Sequence, residues 1–515
     1  MNSNQPYSNR WKALAVLALS LLIVSLDNTI LNTAIPSLRD DLSASGSALQ
    51  WIVDSYLLVF AGLLLTAGSL GDRFGRKRAL QFGLLVFAVG SAASALATSS
   101  EMLTATRALM GVGGAFIMPS TLSIITAIFP AEERGKAIGA WAAVSGLGIV
   151  LGPVAGGALL EAFDWSAVFW VNVPIAALAI VAGMRLIPES RDPRARPLDL
   201  RGAALSMAGL TAVVWSIIEA PERGWTSPAV LAATAGGVVV LAGFARWERR
   251  ARYPMLDLAL FRDLRFSAAS ITISLLFAAL LGTVFILTQH LQSVLDYDAL
   301  GAGLRITPLG AGVIVASAAS ARLTDRVGTK IMVAGGMSVI AAGLGALSLV
   351  TVDSGYGLIA ATLVTMGAGI GMTMAPATDA IMGSVPISHA GIGSAMNDTT
   401  RMVGGALGVA VLGSVLSHGY RDGVEETLDG LPPDAAAAAD SSIGGAVSVA
   451  DRMGPAGDAL RGAADAAFVT GMADAALVAG GVVLAGAVIA ALWLPARAGA
   501  AEPAPDATGA QPAAA

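Results

Sequence analysis

The strongest constraint on this sequence is a series of long apolar runs, each able to cross a lipid bilayer as a helix. A bilayer core of about 30 Å needs roughly 20 apolar residues, and fourteen such runs occur. The chain is 55% hydrophobic and 13% charged, whereas soluble domains carry about 25% charged residues. The excess apolar surface must face lipid, which predicts an all-α polytopic membrane protein. The predicted spans are 12–35, 48–70, 79–99, 101–129, 136–160, 166–187, 201–218, 228–245, 264–288, 300–321, 330–350, 356–382, 391–417 and 470–494.

The positive residues between the runs predict the orientation of the chain. With fourteen spans, both termini lie on one side of the membrane. Most of the 31 lysines and arginines then fall in connections on that side, and such an excess marks the cytoplasmic side. The first run, from Trp11 to about Ile35, is too long for a signal peptide and lacks a cleavage site. We therefore expect a retained first helix, cytoplasmic termini and a location in the cell membrane.

Two segments of the chain repeat one pattern. Residues 68–80 read GSLGDRFGRKRAL and residues 321–333 read ARLTDRVGTKIMV, with Leu, Asp, Arg, Gly and Lys in register. The first copy follows the second span and the other follows the tenth. If the seventh and eighth spans are an insertion, each copy follows the second helix of a six-helix half. The sequence therefore predicts a 6 + 2 + 6 arrangement with parallel repeats, typical of transporters that rock about a central site.

This arrangement divides the chain into four parts. The predicted parts are an N-terminal half over 1–187, a two-helix insertion with cytoplasmic linkers over 188–263, a C-terminal half over 264–494 and a disordered cytoplasmic tail over 495–515. The C-terminal half includes a long extracytoplasmic loop, 419–469, that is rich in Ala, Asp and Gly. Its composition predicts partial disorder with some short helix.

Several classes of function are excluded by composition and motif. The chain has no cysteine, so it forms no disulfide, thiolate metal site or cysteine nucleophile. Its three histidines, His290, His389 and His418, show no metal-ligand spacing. The glycine run in the fourth span lacks the Gly-Lys-Ser/Thr ending of a P-loop. We therefore expect no enzyme activity, cofactor, metal, nucleotide or nucleic-acid partner.

Three charged residues fall inside predicted spans at similar depth. A charge near mid-membrane costs roughly 2.5–3.5 kcal/mol on insertion scales and is functional by default. At 1.5 Å per residue, Asp27 lies about 22 Å from the inner end of its span, and Asp54 and Arg107 lie roughly 9 Å from the outer face. We hypothesise that Arg107 balances a carboxylate that gains and loses a proton, with Asp27 the first candidate and Asp54 the second. The alternative is a static ion-pair network.

Several motifs together resemble the major facilitator superfamily, and more narrowly its 14-helix drug:proton antiporter family. They are GSLGDRFGRKRAL at 68–80, LDNTILNTAIP at 26–36, RALMGVGGA at 107–115, GIVLGPVAGG at 148–157, WSAVFWVNVP at 165–174 and LTQHLQSVL at 287–295. The resemblance covers nearly the whole chain. It implies a monomer that exports small amphipathic drugs or antibiotics by alternating access, in exchange for protons. The alternative is a dedicated exporter of one endogenous product, such as an antibiotic, siderophore or lipid.

The repeated segment is the first candidate for a gate. Asp72 can accept backbone N–H groups at a nearby helix N-terminus, where the helix dipole favours an anion. Its neighbours can form a charged cluster that breaks in another state. The alternative is a simple positive-inside signal. The predicted gating residues of the two copies are Gly68, Asp72, Arg73, Gly75, Arg76, Asp325 and Arg326.

The fifth span carries a second candidate for a gate. Gly148, Gly152 and Gly156 recur every fourth residue and share one helix face, while Pro153 removes a backbone hydrogen bond and bends the helix. With Gly157 they resemble the exporter motif, which implies a role where the two halves close. The alternative is ordinary small-residue packing.

The substrate cavity is predicted mainly from the thirteenth span. Cation-exporting relatives often carry acidic residues in the corresponding helix, whereas this chain has Asn397, Asp398 and Arg401 there. This pattern weakens the case for dications and leaves room for neutral or anionic drugs. Asp398 and Arg401, three residues apart, could equally pair with each other. Asn28 and Gln289 complete the predicted cavity.

Overall fold

We describe a computed structural model of the chain. The structure describes residues 7–42, 46–191, 199–252, 254, 256, 258–386 and 389–496. Nearly all of the predicted tail 495–515 lies outside these residues. All the regular secondary structure among the described residues is helical, because an apolar chain in a bilayer satisfies its backbone polar groups within each helix.

Seven helices make up the first group. They are α1 (Arg10–Asp41), α2 (Gly46–Phe74), α3 (Arg76–Ala95), α4 (Ser100–Ile128), α5 (Ala131–Ala162), the short α6 (Ala167–Trp170) and α7 (Asn172–Leu186). Two more follow in the predicted insertion, α8 (Leu200–Arg223) and α9 (Pro228–Glu248). Several of these helices are capped at the N-terminus by a side chain. Ser99 accepts a hydrogen bond from the Met102 amide, and Asp199 accepts one from Gly202, as N-cap residues do.

The remaining helices form the second group. They are α10 (Leu264–Gln289), α11 (Ala299–Val327), α12 (Thr329–Leu347), α13 (Tyr356–Gly383), α14 (Ala390–Val424), α15 (Pro433–Ser441), α16 (Ile443–Met453) and α17 (Asp458–Trp493). Helix pairing recurs between the groups. α1 packs on α5 as α10 packs on α14, and α2 packs on α4 as α11 packs on α13. The groups meet along α5 and α11, and along α2 and α14.

The membrane spans can be compared with the prediction. Among the described residues, thirteen helical stretches are long and apolar enough to cross a membrane. Each overlaps one of the predicted spans, although the last, Ile443–Trp493, begins well before the predicted start at residue 470. The remaining predicted span, 136–160, falls on α5, which is helical over 32 residues. The all-helical membrane fold expected from the sequence is therefore confirmed.

The segment 419–469, for which the sequence predicts partial disorder with some short helix, is helical over most of its length. α14 continues to Val424, α15 and α16 form a helical pair, and α17 begins at Asp458. At 1.5 Å per residue, α14 and α17 are each more than about 50 Å long and exceed a bilayer core. α16 buries Ile443, Ala446, Val449 and Ala450, and the Tyr420 hydroxyl donates to the Ala439 carbonyl. This apolar face, which a composition rich in Ala and Asp conceals, explains why the segment folds.

The insertion lies against both groups of helices. α8 packs on α2, on α14 and on α9. Leu58 and Ala61 of α2 and Val214 of α8 form a small buried cluster against Met402 and Val403 of α14. α8 therefore bridges the line along which α2 and α14 meet.

Candidate functional site

A buried ion pair joins α1 to α4. The Arg107 Nη1 atom lies 2.5 Å from Asp27 Oδ2, and both side chains are 1% exposed. Arg107 Nε also donates to the Ile52 carbonyl of α2 at 3.3 Å. Two of the three charged residues singled out from the sequence thus lie in direct contact. Asp54 lies in α2, and its side chain is outside the described residues.

Three further residues complete the surroundings of this pair, which we call the Asp27 cluster. Asn172, the first residue of α7, donates through Nδ2 to Asp27 Oδ1 at 3.1 Å and to Ser91 Oγ at 3.2 Å. Tyr56 of α2 places its ring 4.5 Å from the Arg107 guanidinium carbon, within cation–π range. The motif WVNVP contains Asn172, but single-chain spacing could not show that α7 packs against α1 and α3.

A latch joins the repeated segment to α14. Both Asp72 carboxylate oxygens accept from the Gly391 amide at 2.9 Å, and Oδ2 also accepts from Ile392 at 3.2 Å. These amides belong to the first turn of α14, where unpaired N–H groups and the helix dipole favour an anion. Arg76 donates to Asp72 Oδ1 at 2.8 Å. The geometry matches the sequence argument for Asp72, and we call these contacts the Asp72 latch.

Glycines and arginines around the latch set its geometry. A Cβ at Gly68 would lie 2.5 Å from the Gly391 carbonyl oxygen, so glycine lets α2 and α14 meet. Gly75 has φ +119°, a conformation that side chains rarely adopt. The Arg76 amide donates to the Ser190 carbonyl at 2.9 Å. Arg73 lies 5.2 Å from the Phe74 ring.

The second copy of the repeat forms no such latch. Asp325 and Arg326, at the end of α11, are exposed. Neither makes an ion pair or side-chain hydrogen bond within the part of the chain that the structure describes. Gly328 keeps a positive φ of +87°. The structure therefore places Asp325 and Arg326 in a similar turn, where neither side chain bonds to the start of another helix among the described residues.

The α5 glycines face two different neighbours. A Cβ at Gly148, Gly152 or Gly156 would collide with Ser25, Thr29 or Thr33 of α1, within the first group of helices. By contrast, Gly157 lies against Leu300 of α11, across the line between the groups. Close helix packing explains the four-residue spacing, and Gly157 alone of these four contacts the opposite group. Pro153 lies in α5, with its side chain outside the described residues.

A second polar cluster lies between the two groups, and we call it the Arg401 cluster. Arg401 Nη1 lies 3.7 Å from Asp398 Oδ1, Asn397 Nδ2 donates to the same oxygen at 3.3 Å, and Arg401 Nη2 donates to Ser145 Oγ of α5 at 3.0 Å. The guanidinium carbon lies 5.0 Å from the Trp141 ring and 4.5 Å from the Phe277 ring. The sequence indicated the α14 residues but not their partners on α5 and α10.

A small cavity adjoins the Arg401 cluster. Its volume is about 10 Å³, enough for roughly one water molecule. Ser145 and Phe277 line it with aliphatic residues of α10, α11 and α13. Asn28 is exposed and Gln289 is half-buried at the end of α10. Neither forms a hydrogen bond to the Arg401 cluster among the described residues, so the structure gathers three of the five predicted cavity residues.

The comparison with known families decides the classification of the chain. The sequence profile described as Major Facilitator Superfamily matches residues 17–409. This chain belongs to the major facilitator superfamily. It is therefore a multi-pass protein of the cell membrane and a member of a transporter family.

Similar proteins within the superfamily are named as exporters. The chain is 41% identical to the multidrug efflux pump LfrA of Mycolicibacterium smegmatis over 482 residues, which cover 93% of this chain and 95% of the relative. It is 34% identical to the tetracenomycin C resistance and export protein of Streptomyces glaucescens, over 93% of this chain and 91% of that protein.

Solved structures show the same fold at low sequence identity. The human organic anion transporter MFSD10 matches with a TM-score of 0.63 and 14% identity, over 94% of this chain and all of that one. The proton:xylose symporter XylE matches with a TM-score of 0.57 and 15% identity. At these identities the likeness concerns the fold alone.

Proposed function

We propose that this protein is a proton-coupled secondary exporter that moves small amphipathic drugs or antibiotics out of the cell by alternating access, and that it is not an enzyme. The Asp27 cluster is the observation that carries the proposal. A buried carboxylate paired with one arginine inside a membrane protein marks a proton or ion pathway by default. The names of the relatives support export of drugs.

The Asp27 cluster can change its protonation state because Arg107 has other partners. A buried pair that loses one charge leaves the other uncompensated, at a cost of roughly 3–5 kcal/mol. The Tyr56 ring and the Ile52 carbonyl both contact Arg107 and offset part of that cost. Protonation of Asp27 therefore weakens the contact between α1 and α4, while the Arg107 guanidinium keeps its contacts with Tyr56 and Ile52. A proton and a drug that favour different states of the protein are then coupled. Asp54 stays a second candidate.

The Asp72 latch supplies a gate in this proposal. It ties α2 of one half to the first turn of α14 in the other, so the halves separate on that side only when the latch opens. The contact between Gly157 and Leu300 lies at the other interface between the halves, which α5 and α11 form. Asp325 and Arg326 remain proposed gating residues, with a smaller contribution than Asp72 because both are exposed.

The membrane arrangement follows from the same proposal. We take α5 as the fourteenth spanning helix, with six helices in the half 1–187, two in the insertion 188–263 and six in the half 264–494. Both termini are cytoplasmic, and the segment 419–469 is extracytoplasmic. The protein works as a monomer. Cytoplasmic termini place the Asp72 latch on the cytoplasmic side and make this conformation closed there.

Export of a single natural product is a second candidate. The names of the tetracenomycin C relative and of a probable actinorhodin transporter of Streptomyces coelicolor, 36% identical over 80% of this chain, favour it. Profiling many toxic compounds in an overexpressing strain separates the two. Resistance to several unrelated compounds supports a multidrug pump, whereas resistance to one supports the dedicated exporter.

The test is efflux of ethidium from energised cells, with and without a protonophore. We expect protonophore-sensitive efflux in the wild type and at least about a tenfold loss in Asp27→Asn, equivalent to roughly 1.4 kcal/mol of coupling. Asp353→Asn is the matched control, because Asp353 is exposed in the turn before α13. Full proton-driven efflux by a well-expressed Asp27→Asn protein would refute the proton role.

A further inference from the structure

The Arg401 cluster contains two buried charged atoms of opposite sign that have no hydrogen-bond partner within the part of the chain that the structure describes. They are Arg401 Nη1 and Asp398 Oδ2. Arg401 is 6% exposed and Asp398 is 1% exposed. Buried polar atoms without partners are costly and call for an explanation, and a ligand is one. The two atoms belong to side chains three residues apart on α14, so one molecule can reach both.

The pair between these side chains is loose. Arg401 Nη1 lies 3.7 Å from Asp398 Oδ1, whereas strong charge-assisted bonds measure about 2.7–2.9 Å. By comparison, Asp27 and Arg107 approach to 2.5 Å. The remaining contacts involve atoms other than the two without partners, because Ser145 Oγ accepts from Arg401 Nη2 and Asn397 Nδ2 donates to Asp398 Oδ1. A ligand can therefore exchange partners with the pair and leave both side chains anchored.

Flat rings surround the guanidinium. Trp141 and Phe277 lie on opposite halves of the protein and both contact Arg401. The Trp141 indole N–H donates to Thr121 Oγ1 at 3.1 Å, which fixes this ring. Apart from Ser145, the cavity beside Phe277 is lined by apolar residues. Aromatic rings stack with ring centres 4.5–7 Å apart, so a planar aromatic ligand fits between these walls when the halves separate.

The balance of charge selects among planar ligands. The Asp398–Arg401 pair is neutral overall. A ligand with a single positive or negative charge would leave a net charge in a buried site, which is costly. A zwitterion keeps the site neutral because its carboxylate pairs with Arg401 Nη1 and its cationic nitrogen pairs with Asp398 Oδ2.

We infer that the Arg401 cluster binds flat aromatic zwitterions, in preference to the net cation or net anion of the same ring framework. The inference rests on the proposed function, because it assigns the substrate class of the proposed exporter. It makes Arg401 and Asp398 specificity-determining residues, one for each end of the ligand.

The test uses three dyes that share one tricyclic ring. They are a rhodamine with free amino groups and a free carboxylate, its methyl ester, which is a net cation, and fluorescein, which is a net anion. Binding to the purified full-length protein is followed by fluorescence anisotropy. We expect the free-acid rhodamine to bind at least about tenfold more tightly than either other dye.

Two variants assign the preference to the two side chains. Arg401→Gln should abolish the preference over the ester, and Asp398→Asn the preference over fluorescein. Arg305→Gln is the matched control, since Arg305 of α11 contacts Tyr297 and Tyr356 instead. Arg401→Met also removes the charge, with a side chain of similar reach, and replaces Arg401→Gln if that protein does not fold.

The outcomes separate this inference from the proposed function. Equal or tighter binding of the ester or of fluorescein by the wild type overturns the inference, as does binding of none of the three dyes. An unchanged preference in both variants also overturns it. Ethidium efflux that is sensitive to a protonophore would still uphold the proposed function, because that assay does not depend on the ranking of the dyes.

Discussion

The segments 68–80 and 321–333 share a sequence pattern and differ in what they hold together. In the first, Asp72 is buried at the start of α14. In the second, Asp325 is exposed at the end of α11. Both keep a glycine with positive φ three residues after the aspartate. The turn is therefore common to both copies, and the latch belongs to one.

Two substitutions account for the difference. Arg76 pairs with Asp72 four residues earlier, and the matching position in the second copy is Thr329, which carries no charge. Gly68 lets the backbone of Gly391 approach, and the matching position in the second copy is Ala321. A latch thus needs a close helix approach and a neutralising cation in addition to the aspartate.

Removing the carboxylate charge in each copy should give the largest contrast. Breaking a buried ion pair costs roughly 3–5 kcal/mol, so Asp72→Asn should abolish most efflux and lower the unfolding temperature. Asp325→Asn is the matched change at an exposed site, where effects stay within about 0.5 kcal/mol. Initial efflux rates and thermal unfolding of the purified proteins measure both. Equal losses in the two variants would show that Asp325 holds a latch of its own in another state.

Exchanging the small residues should give an intermediate contrast. Gly68→Ala places a methyl group against the Gly391 carbonyl, and overpacking costs about 1–3 kcal/mol. We expect a several-fold loss of efflux. Ala321 lies within α11, and Ala321→Gly should cost less, about 0.5–1 kcal/mol, because glycine disfavours the helix interior. The same efflux assay compares them, and a Gly68→Ala protein with full activity would mean that α2 and α14 need not meet closely.

Adding the missing cation should give the smallest effect. Thr329→Arg gives the exposed Asp325 a possible partner four residues away, and such a pair contributes about 0.2–0.5 kcal/mol. Thr329 itself is 2% exposed, so the larger side chain also adds an overpacking cost. Thr329→Gln, which is uncharged and of similar length, carries that steric cost too, and we expect equal efflux in the two variants. A marked change in efflux with arginine alone would indicate that Asp325 lacks only its cation to act as a latch.

The sequence predicted the fold well because the bilayer makes apolar length informative. Span positions agree with the helices, and Asp27 and Arg107, placed at similar depth by counting residues, touch. The argument for Asp72 succeeded for a general reason, since helix starts attract anions wherever they lie.

Partners from distant parts of the chain could not be predicted. Asn172 reaches Asp27 from 145 positions away, and Ser145 reaches Arg401 from 256 positions away. The periodicity of apolar residues within one helix carries no information about which distant helix supplies such a contact. For the segment 419–469 the sequence predicted partial disorder with some short helix, and the short helices α15 and α16 are present. The extent of helix was underestimated because an alanine-rich sequence with scattered acids gives little sign of the buried face of α16.

The position of α8 has a consequence for molecules dissolved in the bilayer. The two halves meet along two lines, and α8 covers one of them by packing on both α2 and α14. A lipophilic compound that diffuses laterally in the bilayer toward that line contacts α8 first. The line between α5 and α11 has no such cover from α8, and it runs beside the cavity next to Arg401. We therefore expect lipophilic compounds to enter from the bilayer at the α5–α11 interface and not at the α2–α14 interface.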